Sequence, residues 1–501
     1  MKHRIRFLTL AATAIALAAC ADESVTTAPS SNGLTPRLSN VVGSSSYVLM
    51  TSGGRFSDDI AAKVTAAGGQ LQSNLSAIGV ATAVSADPGF AARARKITGV
   101  VSVDADQVVQ WVKPEAVGEA IIAEAIEQPS DAVAHVYGED EQFWNAEWNA
   151  KAIHAPDAWA AGQIGTGARV AVIDGGMSAN HIDLVGRIDV AHSASFVPGL
   201  TWDQDAGGAT TFRHATHVAG IIAANDNGAG TIGIAPGATI IAVKALQNGS
   251  GSFGAVINAI EYASAPISEG GAGANIINMS LGATFPREAR DADGNTKDAD
   301  GNSLMAGTSH LIAAVSRATS HARQRGVLVI AAAGNEGVDM DHAALFVSIP
   351  AQSVGVVSIA ATAPVGFALG ATNFSRPASY TNYGQSFVSF SAPGGDAALP
   401  GIDICAIPRV PSTLPPLVNY CFVFDYVLAP GAGTNSYSFA AGTSMASPAA
   451  AGVAALIWGK YGPLKPTELE TRLRASATDV GKPGNDAYSG AGFVDAGAAV
   501  K

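Results

Sequence analysis

Ser444, Asp174 and His214 are the side chains of this sequence best set to break an acyl bond. Ser444 stands in Gly442-Thr443-Ser444-Met445-Ala446-Ser447-Pro448, just ahead of the apolar run 449–458. That puts a hydroxyl at the mouth of a buried helix, where free backbone N–H groups and the positive dipole end favour developing negative charge. Alone, the same pattern is also that of a plain turn and helix cap. Asp174 ends the apolar run Val170-Ala171-Val172-Ile173, and His214 opens the helical run Ala215-Thr216-His217-Val218-Ala219-Gly220. An Asp ending a strand is often a turn residue, and a His before a helix often a surface residue. Together with Ser444 they supply an acid, a base and a nucleophile, and the set is far more specific than its members.

Such a set works only if a scaffold brings it together. From residue 150 onward, short and often β-branched runs at 169–173, 239–243, 274–279, 327–332 and 354–360 alternate with helix-like segments. This alternation predicts an α/β fold with a parallel sheet covered by helices on both faces, whose sites lie at the carboxyl ends of the strands. With 501 residues, 48% of them hydrophobic, the chain can bury a large core and form more than one domain. A net charge of −12 without a basic stripe argues against nucleic acid as a partner.

The blocks around Asp174 and His214, with Asn278-Met279-Ser280-Leu281-Gly282, Ala333-Gly334-Asn335 and 442–448, stand in one order. In these the domain 150–501 resembles the subtilisin-like serine peptidases, the subtilase family. The resemblance implies the seven-stranded parallel sheet of that family and an endopeptidase acting on proteins or peptides as a monomer. It makes Ser444 the nucleophile, His214 the general base and Asp174 its orienting acid, and gives Asn335 the oxyanion beside the Ser444 N–H. The later His217 takes a structural role. Three positions depart from the pattern: Ala215 and Ala283 stand where Gly is usual, and Gly175 where Ser or Thr is common. A methyl beside the catalytic His predicts slower or narrower activity. A weak or silent surface binding protein of the same fold is the alternative.

Gly249-Ser250-Gly251 carries little side chain, so an extended peptide can pair with its backbone as an added strand, unless the glycines are a plain flexible turn. Ser280, Leu281 and Gly282 form the other edge by resemblance, and Phe253 lines a more distant pocket. Glu336 either attracts a basic side chain or faces solvent. The resemblance also implies structural calcium, held by Asp183 and by Asn227 in the loop 225–231; the other reading of that loop is a polar turn capped by Asn. A doubled Asp-x-Asp-Gly-Asn at 291–302 is a second calcium candidate or a solvated acidic insertion.

The first twenty residues have the shape of an export signal: Lys2, Arg4 and Arg6, then an apolar run at 7–19 too short to span a bilayer. Leu17-Ala18-Ala19-Cys20 resembles the bacterial lipobox, giving either a lipid anchor on Cys20 or ordinary cleavage near Ala18 or Ala19. In an exported protein Cys405 and Cys421 suit one disulfide across a loop, or remain two free thiols. Residues 21–45 read as a disordered tether. Residues 46–112 read as a β-α-β-β-α-β unit, with strands at 47–50, 77–84 (a pair) and 100–103 and helices at 58–67 and 88–95. That unit resembles the inhibitory propeptide of subtilases, which implies self-cleavage near Val112-Lys113. The long stretch 113–149, a linker and leading arm, leaves a later cut within 113–145 open.

Overall fold

The computed structural model describes residues 45–52, 55–112, 120–124, 137–205, 213–288, 295–297, 303 and 305–501. The acidic insertion therefore lies almost wholly outside the described residues, as do the export signal and tether.

The amino-terminal unit runs β1 (Ser45–Thr51), α1 (Ile60–Ala66), β2 (Gln70–Leu75), β3 (Val80–Ser85), α2 (Phe90–Ala94) and β4 (Val100–Ala105). Its antiparallel sheet has the order β2-β3-β1-β4. The expected strand pair at 77–84 begins earlier than its apolar residues do. β2 is half-exposed and alternates, and the connection falls at 76–79, where Gly79 takes φ +62°. Leu49 enters the unit's own core with Ile60, Val64 and Phe90, while Val48 and Met50 face the other way into the larger domain. That is the period of two of a strand buried on both faces.

Two short strands follow, β5 (Val108–Gln110) and β6 (Ala120–Glu124), then α3 (Trp148–Ala152) and α4 (Ala155–Ala160). The catalytic-domain elements are β7 (Arg169–Asp174), β8 (Ala194–Ser195), α5 (His214–Ala223), β9 (Thr239–Lys244), β10 (Ser250–Ser252), α6 (Phe253–Ser264), β11 (Ile276–Met279), β12 (Ala283–Pro286), α7 (Ala306–Gln324), β13 (Leu328–Ala332), β14 (Phe346–Ile349), β15 (Val356–Thr362) and β16 (Phe390–Pro393). After them come β17 (Ile404–Ile407), β18 (Leu417–Tyr420), β19 (Val427–Pro430), β20 (Ser436–Ala440), α8 (Thr443–Tyr461) and α9 (Pro466–Ser476).

Seven strands form one parallel sheet in the order β16-β15-β13-β11-β7-β9-β8. The five strands expected from sequence are its centre; β8 and β16 are short edges with too few residues to show a pattern. Val170 and Val172 enter one core with Ile221 of α5 and Leu456 of α8, whereas Ala171 and Ile173 enter the other with Ile257 of α6 and Val315 of α7. Burial on both faces is why these strands read as unbroken apolar runs. Cys405 and Cys421 are bonded to each other across the hairpin of β17 and β18.

Candidate active site

β7 delivers Asp174 at its carboxyl end, and α5 begins with His214. Their side chains meet, Nδ1 of His214 lying 2.7 Å from Oδ2 of Asp174. The carboxylate can only accept, so Nδ1 carries the hydrogen and the other ring nitrogen is left basic. Oδ1 of Asp174 is held by the Gly175 N–H at 2.6 Å. His217, one turn on, is fully buried and donates from Nε2 to the Ser438 carbonyl at 2.9 Å; burial pulls its pKa down to about 3. It is thus a neutral structural residue. The Ala215 methyl is also fully buried, in the main core and not on the cleft.

Ser444 occupies the first turn of α8, whose cap is Gly442. Pro448 lies four residues on inside this helix and has no N–H, so the Ser444 carbonyl lacks its usual helical donor. The Ser280 hydroxyl takes that place at 2.8 Å, and in return the Ser444 hydroxyl donates to the Ser280 carbonyl at 3.0 Å. A buried chain extends this grip: Asn278 donates to the Ser280 hydroxyl at 2.9 Å, and Ser447 donates to Asn278 at 2.6 Å. These positioning contacts of Asn278, Ser280 and Ser447 were not foreseen. A proline in the first turns of a helix was the signal, since it announces a carbonyl in need of a donor.

Asn335 follows β13. Its Oδ1 accepts from the Thr443 N–H at 2.9 Å and from the Thr443 hydroxyl at 2.7 Å, which fixes the amide and turns Nδ2 the other way. A β-carbon on Gly442 would stand 3.5 Å from both Asn335 Nδ2 and the Ser444 nitrogen, so two donors flank one point above the nucleophile. Gly334, at φ +104°, could not carry a side chain there, because Asn382 Nδ2 would lie 2.4 Å from its β-carbon.

A cavity of about 450 Å³ opens on His214, Ser444, Asn335, Leu281, Gly282 and Glu336. Glu336 lies on its wall and accepts from Asn382 Nδ2 at 2.8 Å. The chain's own residues Trp111 and Val112 also line the cavity. β5 pairs antiparallel with β10, matching Gln110 to Ser250 and Val109 to Gly251, and the Gly282 N–H donates to the Trp111 carbonyl at 2.9 Å. The expected substrate edges 249–251 and 280–282 therefore hold an extended strand between them. Gly249, at φ +74°, has the Val112 carbonyl where a β-carbon would go, 2.3 Å away. The Trp111 indole meets Phe253 edge-on at 5.2 Å and donates to the Gly251 carbonyl at 2.9 Å, so Phe253 packs against a ring of the chain's own amino-terminal segment.

Away from the cleft, the loop after α5 closes over Asp183. Asn227 Nδ2 lies 3.4 Å from Asp183 Oδ1, the Thr231 N–H donates to Oδ2 at 3.1 Å, and Asn227 Oδ1 accepts from the Ala229 N–H at 3.0 Å. Glu141 and Glu147, which sequence reasoning passed over, belong to the same region. Glu141 accepts from the N–H groups of Asn227 and Gly228, and Glu147 from that of Ile232. Their aromatic neighbours in Gln142-Phe143-Trp144 and Trp148 were the clue that these acids are buried. Burial pushes Asp183 up to about 7; burial and the Asp183 charge push Glu141 up to about 10; burial holds Glu147 well above the usual range.

A doubly wound parallel sheet with an Asp–His pair and a serine on one cavity defines a hydrolase of α/β architecture. Residues 165–492 match the subtilase family model, peptidase S8. The chain is 32% identical over 355 residues to M-protease of Shouchella clausii strain KSM-K16, covering 71% of this chain and 70% of that one. Over 373 residues it is also 32% identical to subtilisin E of Bacillus subtilis strain 168, covering 74% of each. The solved epidermin leader peptide processing serine protease of Staphylococcus aureus shares the fold with a TM-score of 0.66, at 20% identity over 91% of this chain and 98% of its own. The chain belongs to the subtilase family and is a subtilisin-type serine endopeptidase.

Proposed function

We propose that this enzyme is exported, frees itself from its amino-terminal unit, and then cleaves proteins through an acyl-enzyme on Ser444. The observation that carries the catalytic roles is the 2.7 Å Asp174–His214 pair opening on the cavity it shares with Ser444 and Asn335. As a peptide carbonyl enters, the Ser444 proton swings from the Ser280 carbonyl to Nε2 of His214, and Oγ attacks. Asp174 then faces an imidazolium it is already bonded to. The new oxyanion receives the Asn335 amide and the Ser444 N–H, supported by the amino end of α8. His214 returns the proton to the leaving amine, and water repeats the sequence on the ester.

The amino-terminal unit is read as inhibitor and folding aid. Its extended tail 108–112 lies in the cleft as a substrate would, ending at Val112 beside the nucleophile. The rest of the unit is fastened to α6 and α7: Asp106 accepts from the Gly254 N–H at 2.9 Å, His310 lies 2.9 Å from Asp104, and Arg317 donates to the carbonyls of Thr51 and Ile78. A cut just beyond Val112 would follow from the geometry any substrate adopts. A parallel sheet built from distant contacts folds slowly, which gives such a docked unit its use.

Calcium is assigned to the region of Asp183 and Asn227, with Glu141 added. A cation fits the residues present: Asp183 and Glu141 are fully buried, and Glu141 Oε2 has no hydrogen-bond partner. Nearby, carboxylate oxygens of Asp140, Glu141 and Asp226 lie within 4.8 Å of one another. Calcium there would neutralise acids whose charge is otherwise costly and tie the arm at 141–147 to the loop after α5. Export rests on the first twenty residues, with the lipid anchor on Cys20 as its tethered form; among the described residues no helix is long and apolar enough to cross a membrane.

The test compares wild type with Ser444→Ala for release of the amino-terminal unit, casein hydrolysis and labelling by a fluorophosphonate. Wild type should do all three and the variant none, with a loss in turnover of roughly a millionfold, the size known from subtilisin. Hydrolysis that persists in the variant removes Ser444 from its role.

A further inference from the structure

Beyond Val112 the chain is paired with the enzyme again at β6. Eight positions later β6 pairs antiparallel with β20, Ala120 against Phe439, Ile121 against Ser438 and Glu124 against Ser436, with one irregularity in the register. β20 is thereby the middle strand of a three-stranded sheet, β19-β20-β6. It is also the strand that leads to the nucleophile, ending at Ala440, four residues before Ser444. Ala120 stands eight positions after Val112, and eight steps of extended chain span at most about 28 Å. The chain thus makes main-chain pairs on both sides of the nucleophile: with β10 before it and with β20 after it.

Without β6, β20 would be an edge strand; the Ser436 and Ser438 carbonyls are held by His181 and His217, and the alternate residues Tyr437 and Phe439 would turn their N–H and C=O groups outward, the kind of edge on which an extended polypeptide adds itself. The β20 residues 437–440 are buried, so what this edge offers a partner is backbone, indifferent to sequence. We propose that the outer edge of β20 is a binding site for the leaving-group side of extended polypeptide substrates, gripping them from about eight residues after the cut bond, and that Ala120–Glu124 is its occupant in the uncut chain. This rests on the proposed cut beyond Val112. The substrate class that follows is long, unfolded polypeptide in preference to short peptides, since a short leaving group never reaches β20. The same pairing makes β6 a competitor that must be displaced before the edge can serve.

The experiment weakens β6 in the full chain with Ala120→Pro and Ala123→Pro, which take backbone N–H groups from that strand, Ala120 being the residue paired with Phe439, whose backbone groups face outward. Quenched fluorescent peptides, identical up to the cut bond, carry either four or fourteen residues after it. In the self-processed variant the ratio of kcat/KM, long over short, is expected near tenfold, residing in KM. N-methylation of the long peptide at positions eight to twelve should return the ratio to one. Hydrogen exchange on the uncut chain carrying Ser444→Ala provides a second readout: amides at 436–440 should exchange faster once the prolines are added. A long-to-short ratio of one, or a gain that survives N-methylation, or exchange at β20 blind to the prolines, overturns the inference. Failure to cleave even the short peptide, with no fluorophosphonate labelling, strikes instead at the proposed function.

Discussion

Asp174 and Asp183 are both buried aspartates, nine residues apart, in contrary circumstances. Asp174 faces an imidazole at 2.7 Å, so any charge it carries has a partner able to become positive. Asp183 is surrounded by neutral donors, Thr231 and Asn227, and by the further acids Glu141 and Glu147, which burial and like charge push up the pH scale. A carboxylate beside a histidine can do chemistry without help, whereas a group of buried carboxylates calls for a cation from outside. The two sites are joined through α5, whose first residue is His214 and whose last turn runs into the loop over Asp183. One helix therefore carries His214 at one end and runs into the loop over Asp183 at the other.

The comparison breaks first if the two aspartates respond alike to Asn. Asp174→Asn should lower turnover on a peptide substrate about 10⁴-fold through the wrong histidine tautomer, with the melting temperature nearly unchanged. Asp183→Asn should leave turnover at 25 °C within a few-fold while calcium ceases to raise the melting temperature; at a hundred times its Kd, calcium would otherwise add about 2.7 kcal/mol. Next in size, Asn335→Leu should cost 10²- to 10³-fold in kcat with KM little changed, a magnitude carried over from subtilisin.

Acidity sharpens the contrast by its sign. In the calcium-free protein Asp183 titrates near 7, not 3.8, and Glu141 near 10, not 4.5, so the folded chain keeps protons the unfolded chain has lost. Stability should then fall as pH rises from about 4 through 7 and beyond, and added calcium should stabilise more at pH 8 than at pH 5. Melting curves in chelator that stay flat from pH 5 to 9 would sink this account. With calcium saturating, the opposite slope should emerge below pH 6.5. His217 and His181, pulled by burial to about 3 and about 4, refuse protons the unfolded chain accepts, and stability is lost as pH drops. His217→Asn should flatten that slope.

The smallest effect concerns the carbonyl behind the nucleophile. Ser280→Ala leaves the Ser444 carbonyl without its donor and should cost about 1–3 kcal/mol by urea titration. Pro448→Ala in that background restores a helical N–H to the same carbonyl and should recover part of the loss. No recovery would mean that the Ser280 hydroxyl serves Asn278 rather than Ser444.

The catalytic constellation was legible because each member is announced locally: an acid after an apolar strand, a histidine opening an apolar helix, a serine between glycine and a buried helix. The central strands were legible for the same reason, since burial on both faces writes itself as a continuous apolar run. What escaped was whatever depends on partners far along the chain. β8 and β16 exist because neighbours offer them backbone groups to pair with. Glu141 looked like part of an acidic arm, yet lies fully buried against a loop more than eighty residues away. Gly249 reads as a flexible turn or a substrate edge, and only the tertiary structure sets the Val112 carbonyl against it.

By itself, then, the sequence determined the family and the sheet, and singled out Asp174, His214 and Ser444 as candidate reacting groups, because side-chain chemistry and hydrophobic periodicity are local properties. The tertiary structure alone decided which of the chain's own strands lie on β10 and β20, and which buried acids share a space without a counter-charge. Strand addition is a backbone interaction nearly blind to side chains, and the pKa of a buried acid is set by what surrounds it in space; the order of the residues can hint that an acid is buried but not beside which others.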